Sequence, residues 1–245
     1  MTEIVKDMRR RTIWPAFISL IFFGCTLNDD PKGIKVLSIQ SDLTTNQDEW
    51  TGDFTGYPTP EDSIAYELKF AYTDLPPNLG AKKGVMLSGN DIDGDGLFMF
   101  IKNKVTGLTP NTEYALVFEV QLASNASSEI DDENGSPGGS VFLKAGASSA
   151  EPNKIIGSSG CELNIDKGSV QSLPGSDLIV LGNIAVGTQS TYQLINRGST
   201  NFNAPLRITT NSNGEFWLII GTDSAYKGTT TVYYTQVNVI LTVPD

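Results

Sequence analysis

Histidine is absent from the 245-residue chain, and cysteine nearly so, with only two. The first absence removes Ser-His-Asp triads, Cys-His pairs and every His-ligated zinc or iron site. The second leaves Cys25 and Cys161 too few for a disulfide framework or a four-cysteine zinc site. Positive charge is scarce as well: 17 Lys and Arg stand against 28 Asp and Glu, a net of −11. Nucleic acid, whose phosphates need a basic surface, is excluded as a partner. Phosphate-cradling glycine loops, P-loops and nucleophile elbows are missing too. No pair of carboxylates is nominated by spacing as the machinery of a glycosidase. The chain is therefore read as a non-enzyme that requires no cofactor.

What is present points to β-structure. Charged residues are 18% of the chain, with 24 Gly and 12 Pro, a composition that favours short strands and turns over a helical bundle. At 39% hydrophobic there is enough apolar surface for a core. Tyr66, Leu68, Phe70 and Tyr72 alternate with Glu67, Lys69 and Ala71, the period of two of a half-buried strand. Tyr114, Leu116, Phe118, Val120 and Leu122 do the same against Glu119 and Gln121. By contrast, 97–101 and 216–220 are apolar at every position, which predicts central strands covered on both faces. Residues 34–40 open the fold and 232–243 close it, the latter rich in β-branched residues and tyrosine. Shorter strands are expected at 85–88, 140–145, 155–156, 162–165, 178–181, 192–195 and 206–210. Breakers such as Pro76-Pro77-Asn78, Pro110-Asn111 and Pro174-Gly175 separate them. The expected fold class is all-β: an antiparallel β-sandwich, jelly-roll-like, with long loops. One sandwich over 34–245 is preferred, because the first half has few clear strands with which to close its own core. The alternative is two small sandwiches divided in the Ser/Gly-rich stretch 147–160.

The amino terminus reads as an address. Lys6 and Arg9-Arg10-Arg11 precede an apolar run over 13–23 that contains Pro15 and is shorter than the about 20 residues a membrane helix needs. The run ends in Phe22-Phe23-Gly24-Cys25, which resembles the lipobox of bacterial lipoproteins. That resemblance implies a signal peptide over 1–24, removed to leave Cys25 as the acylated first residue and the lipid bilayer as partner. Residues 25–33 form an acidic tether. Its Asn28-Asp29-Asp30 resembles the surface-export tether of Bacteroidota lipoproteins, a solvated linker being the plainer alternative. The expected location is the cell envelope, at the outer membrane and facing outward. Acylated Cys25 is not free to pair with Cys161, which is expected as a lone buried thiol.

Two further segments carry likenesses. Leu108-Thr109-Pro110-Asn111-Thr112-Glu113-Tyr114 resembles the turn before a core strand in fibronectin type III domains, and equally that in jelly-roll carbohydrate-binding modules. It speaks to sandwich architecture and not to function. The closing stretch with Gly221-Thr222-Asp223-Ser224 and Tyr233-Tyr234 looks like the end of such modules. From about Trp50 onward the chain resembles a group of β-sandwich lipoproteins, a likeness that implies no activity.

Two clusters are candidates for chemistry. Asp91-Ile92-Asp93-Gly94-Asp95-Gly96 matches the first half of an EF-hand loop, with carboxylates at alternate positions and a glycine for the turn. Lys102 stands where the bidentate Glu should be, so Asp91, Asp93 and Asp95 would hold Ca²⁺ only with oxygens borrowed from a neighbour, the 129–134 acidic cluster. The alternative is two solvated acidic turns. The aromatics are the second cluster. Trp50 and Tyr57 lie in a Gly/Pro-rich loop region, Trp217 in an apolar strand, Tyr226 and Tyr234 near the end. Exposed rings of this kind stack sugar faces, although for Trp217 the core is preferred, and of adjacent Tyr233 and Tyr234 only one can point inward. The resulting expectation is a non-catalytic binding lipoprotein with a glycan ligand. The alternative is a structural or protein-interaction component of the envelope.

Overall fold

A computed structural model describes residues 28–29 and 35–244. The expected signal peptide, Cys25 and most of the expected tether lie outside the described residues. Within them the regular structure is antiparallel β-strand, apart from two short 3-10 turns at Pro60–Ser63 and Pro77–Leu79. Among the described residues no helix is long and apolar enough to cross a membrane.

Strands are numbered in chain order. The spine of the first sheet is β15 (Gly228–Thr242). One of its edges pairs end to end with β5 (Lys83–Asp91) and β2 (Lys35–Asp42), the other with β7 (Glu113–Ser124). Outside β5 lies β4 (Lys69–Asp74), and outside β2 lies β1 (Asn28–Asp29). The far edge of β7 carries β12 (Gln193–Gly198) and β13 (Leu206–Thr209). The second sheet has the order β11 (Leu178–Asn183), β8 (Val141–Ser148), β14 (Phe216–Ser224), β6 (Phe98–Val105), β3 (Thr51–Thr55). A hairpin of β9 (Lys154–Gly157) and β10 (Gly160–Leu163) stands apart. Because β14 inserts between β6 and β8, and β15 between β7 and β5, a division at 147–160 would cut both sheets.

Alternation fixes the core. From β15 the side chains of Val232, Tyr234, Val237, Val239 and Leu241 point inward, and from β7 those of Tyr114, Leu116, Phe118, Val120 and Leu122. They meet Met99, Ile101, Leu143, Leu218 and Ile220 of the second sheet in one buried cluster. Each such side chain contributes about 1.5–3 kcal/mol on burial. The strict period breaks once on β15, where the register shifts between Tyr234 and Gln236. Thr235 occupies the shift and donates to Gln121 O at 3.1 Å, so Tyr234 and Val237 both face inward.

The all-apolar strands behave as their sequence predicts. The outward residues Phe98, Phe100 and Ile219 form a second buried cluster with Leu178, capped by Leu163 and Ile165. The hairpin and the strap that follows it, 164–177, therefore roof the outer face of the second sheet. Lys144, fully buried, reaches outward under the strap to Asp223 at 2.9 Å and to the carbonyls of Lys167 at 2.7 Å and Val170 at 3.2 Å. Burial pushes its amine below the ordinary lysine value, with Asp223 opposing.

Two local expectations are corrected. The strand expected from Tyr66 begins at Lys69, and Tyr66 instead closes a turn on Asp62 O at 2.9 Å. The supposed loop around Trp50 contains strand β3, hidden in the sequence by Gly52 and Asp53. Gly52 is required there by close approach, since a Cβ would stand 2.2 Å from the Phe70 ring.

Candidate functional site

The aromatic candidates do not form a platform. Trp50 is 0% exposed, its indole N–H donating to Ser41 Oγ at 3.1 Å. Tyr234 is also 0% exposed, and desolvation drives its phenol pKa up. Tyr57 is 3% exposed under the hairpin, where Lys154 donates to its hydroxyl at 3.0 Å. Three of the five rings thus have no free face, because partners distant in sequence cover them. Trp217 is half-buried on the outer face of the second sheet, with the Lys102 ammonium 5.6 Å from its ring. Tyr226, also half-buried, lies against Gly228.

Nor do Asp91, Asp93 and Asp95 assemble a calcium site. Asp91 is buried, and its carboxylate caps the turn by accepting from Gly94 N–H at 2.9 Å and Leu97 N–H at 3.3 Å. Burial raises its pKa against the lowering effect of those amides. Asp93 turns away to accept from the Tyr66 hydroxyl at 3.0 Å. In the other acidic cluster Asp131 caps its own turn through the N–H groups of Glu133 and Asn134. Among the described residues no group of three or more Cys, Asp or Glu side chains is placed to hold a metal ion. Of the three alternate carboxylates, Asp91 serves the backbone of its turn.

Two concave regions remain. The first is a loop cleft of about 780 Å³ between the end of β3, the 93–96 turn, β10 and the strap. Its floor depends on close backbone approach, since a Cβ on Gly56 would meet Gly96 O at 2.1 Å. Around it stand Tyr57, Asp93 and Asp95 from among the expected residues, with Cys161, Glu162 and Asp166. Cys161 is buried, as expected, and its N–H and C=O bridge to Tyr57 and Gly56. Glu162 accepts from Ser159 N–H at 2.9 Å. Asp166 accepts from Gly168 and Ser176 N–H, both at 2.8 Å, and its pKa is lowered by those bonds. Lys167 is turned to Asp223, 2.8 Å away.

The second is a groove of about 440 Å³ across the open face of the first sheet. Register places three rows of side chains there, on β15, β7 and β12 in turn. Gln236, Gln121 and Asn196 form the middle row, and Asn238, Glu119 and Gly198 the next. On the other side lie Tyr233, Ala123 and Leu194. Neighbouring strands are about 4.8 Å apart and successive rows about 6.8 Å. Gly198, with no side chain, lines the groove, while beside it Ala123 is fully buried and Tyr192 packs edge-on against Tyr233 at 5.6 Å. Gln121 is held by donation to Asn196 Oδ1 at 3.1 Å and by Thr235, which donates to its Oε1 at 3.0 Å. Arg197, beside the groove, is committed to Asn183 O at 2.6 Å and Ala185 O at 3.2 Å.

No protein-family model and no curated protein matches the chain. Among solved structures it is similar to the enzymatically active domain of tailspike protein 4 from bacteriophage CBA120, at 13% identity and TM-score 0.33, over 80% of this chain but only 20% of that one. The CBM22-1 xylan-binding domain of Paenibacillus barcinonensis Xyn10C gives 8% identity and TM-score 0.37 over 84% and 95% of the two chains. The mannan-recognising carbohydrate-binding module TmCBM27 gives 10% and 0.36 over 86% and 99%. At these identities and scores the likenesses carry nothing about function, and the sandwich architecture rests on the strand pairing itself.

The groove was missed from sequence, although the alternation over 114–122 already turned Glu119 and Gln121 outward and a second signal lay beside it. The Tyr233-Tyr234 pair must split between faces, and Tyr233 is the outward member.

Proposed function

We propose that this domain is a non-catalytic binding module for a neutral carbohydrate chain, taken in the groove of the first sheet. The observation that carries this reading is the block of amides from three strands, Gln236, Gln121, Asn196 and Asn238. Each amide offers both acceptor and donors, the pairing that vicinal sugar hydroxyls require. Tyr233 in the adjacent row adds a ring held in place by Tyr192, suited to the apolar face of a pyranose. Glu119 is the one free charge of the three rows, so a neutral ligand fits a protein of net charge −11. In this reading Cys25 is acylated and holds the protein in the cell envelope, at the outer membrane and facing outward. Several acyl chains anchor durably, at about 0.8 kcal/mol per buried methylene.

Affinity electrophoresis through a panel of neutral soluble polysaccharides tests the ligand. At least one is expected to retard the protein, and Gln236→Ala/Asn238→Ala or Tyr233→Ala to weaken that binding tenfold or more, about 1.4 kcal/mol. Retardation by none, or retardation indifferent to both variants, sinks the reading in favour of a structural or protein-interaction role. For the anchor, Cys25→Ser should release the protein from membranes and abolish palmitate labelling; unchanged labelling rejects it.

A further inference from the structure

We propose that the loop cleft is a second, separate site that takes the ammonium group of a small hydroxylated ligand, an amino sugar unit. Four carboxylates surround it, those of Asp93, Asp95, Glu162 and Asp166. The single ammonium among its lining residues, Lys167, is turned to Asp223, which also holds Lys144, so four carboxylates face one ammonium and the cleft keeps a negative field.

The second observation is Thr55. Its side chain lies on the outer face of β3, opposite Phe98 in the register, and lines the cleft while being 0% exposed. Its hydroxyl has no hydrogen-bond partner, the one such buried side-chain atom among the cleft's lining residues. A buried hydroxyl left unpaired is costly, and one in the wall of a cleft calls for a partner.

A bare metal ion is a poor occupant. Ca²⁺ needs six to eight oxygens converging at about 2.3–2.6 Å, whereas three of these four carboxylates, Asp93, Glu162 and Asp166, are separately tied to Tyr66, to Ser159, and to Gly168 and Ser176. An ammonium asks only for a few acceptors around three N–H donors. Thr55 and Gln171 remain for hydroxyl groups. A volume of about 780 Å³ is that of a small-molecule site.

Calorimetric titration with the glucosamine trimer, at a pH where its amines are charged, tests the site. N-acetylglucosamine trimer, methylammonium and Ca²⁺ serve as separate arms. The glucosamine trimer is expected to bind at least tenfold more tightly than its acetylated form or methylammonium. Asp95→Asn should weaken it about fivefold and near-isosteric Thr55→Val about threefold, while Asn238→Ala in the sheet groove changes nothing. Added salt should weaken binding. Equal binding of the acetylated trimer, equal binding of methylammonium, Asp95-dependent binding of Ca²⁺, or no binding at all each overturns the proposal. None of these outcomes touches the sheet groove, whose variants are read independently.

Discussion

The two outer faces of the sandwich meet water differently. On the first sheet β7 alternates, and its outward Glu119 and Gln121 stand beside an open groove. On the second sheet β6 over 98–101 and β14 over 216–220 are apolar on both faces, and the hairpin and strap cover Phe98, Phe100 and Ile219. Beneath that cover lies the buried Lys144–Asp223 pair. The same strand geometry thus yields a wet polar face or a dry roofed one according to whether alternate residues are polar. A roofed face is costly to disturb. An open face tolerates substitution and is where binding is built.

The largest expected effect breaks this contrast at its buried charge. Asp223→Ala leaves the Lys144 ammonium unpaired in the interior, and loss of one partner of such a pair costs about 3–5 kcal/mol. Glu119→Ala on the open face should stay within about 0.5 kcal/mol. Denaturant unfolding measures both, and hydrogen exchange in the strap should rise only in the first variant. The apolar pair Lys144→Met/Asp223→Leu should recover most of the loss. Equal costs for Asp223→Ala and Glu119→Ala would mean that the roof is not dry.

The contrast itself was legible in sequence, because an unbroken apolar run and an alternating one differ in any window. So were the sandwich class and nearly all strands. Trp50 and Tyr57 misled because nothing near them announces burial. Trp50 is capped by Ser41, and Tyr57 lies beneath Lys154 and Cys161, which enter only through folding. The Asp91 turn left two readings open, since a metal loop and a carboxylate-capped turn share one spacing, and only the folded chain shows Asp91 bonded to Gly94 and Leu97 N–H. The amide rows were hidden for a third reason. Counting by twos from inward Tyr234 puts Gln236 in the core, and only the register shift at Thr235 turns it outward. Its partners Gln121 and Asn196 then arrive through pairing, which periodicity does not encode.

A smaller effect sharpens the comparison from the open side. Tyr192 is half-buried, and its hydroxyl pKa is pushed up to about 12, first by desolvation and then by the neighbouring Tyr233. Below the ordinary value of 10.0 the phenol is protonated in both folded and unfolded chains and leaves no pH dependence. Between that value and about 12 the unfolded chain releases the proton while the folded one keeps it. The unfolded state then binds fewer protons, so stability falls as pH rises through this window. Buried Tyr57, Tyr66 and Tyr234 and half-buried Tyr72 are shifted in the same direction, so the wild-type slope alone does not isolate Tyr192. The difference between wild type and Tyr192→Phe does. That gap in unfolding free energy should be constant up to about pH 10 and shift steadily in favour of the variant toward pH 12. Ultraviolet titration should meanwhile lose one late-ionising phenol. A gap independent of pH would mean that Tyr192 titrates as a fully solvated side chain, and that the Tyr192–Tyr233 contact does not hold a ring ready at the edge of the groove.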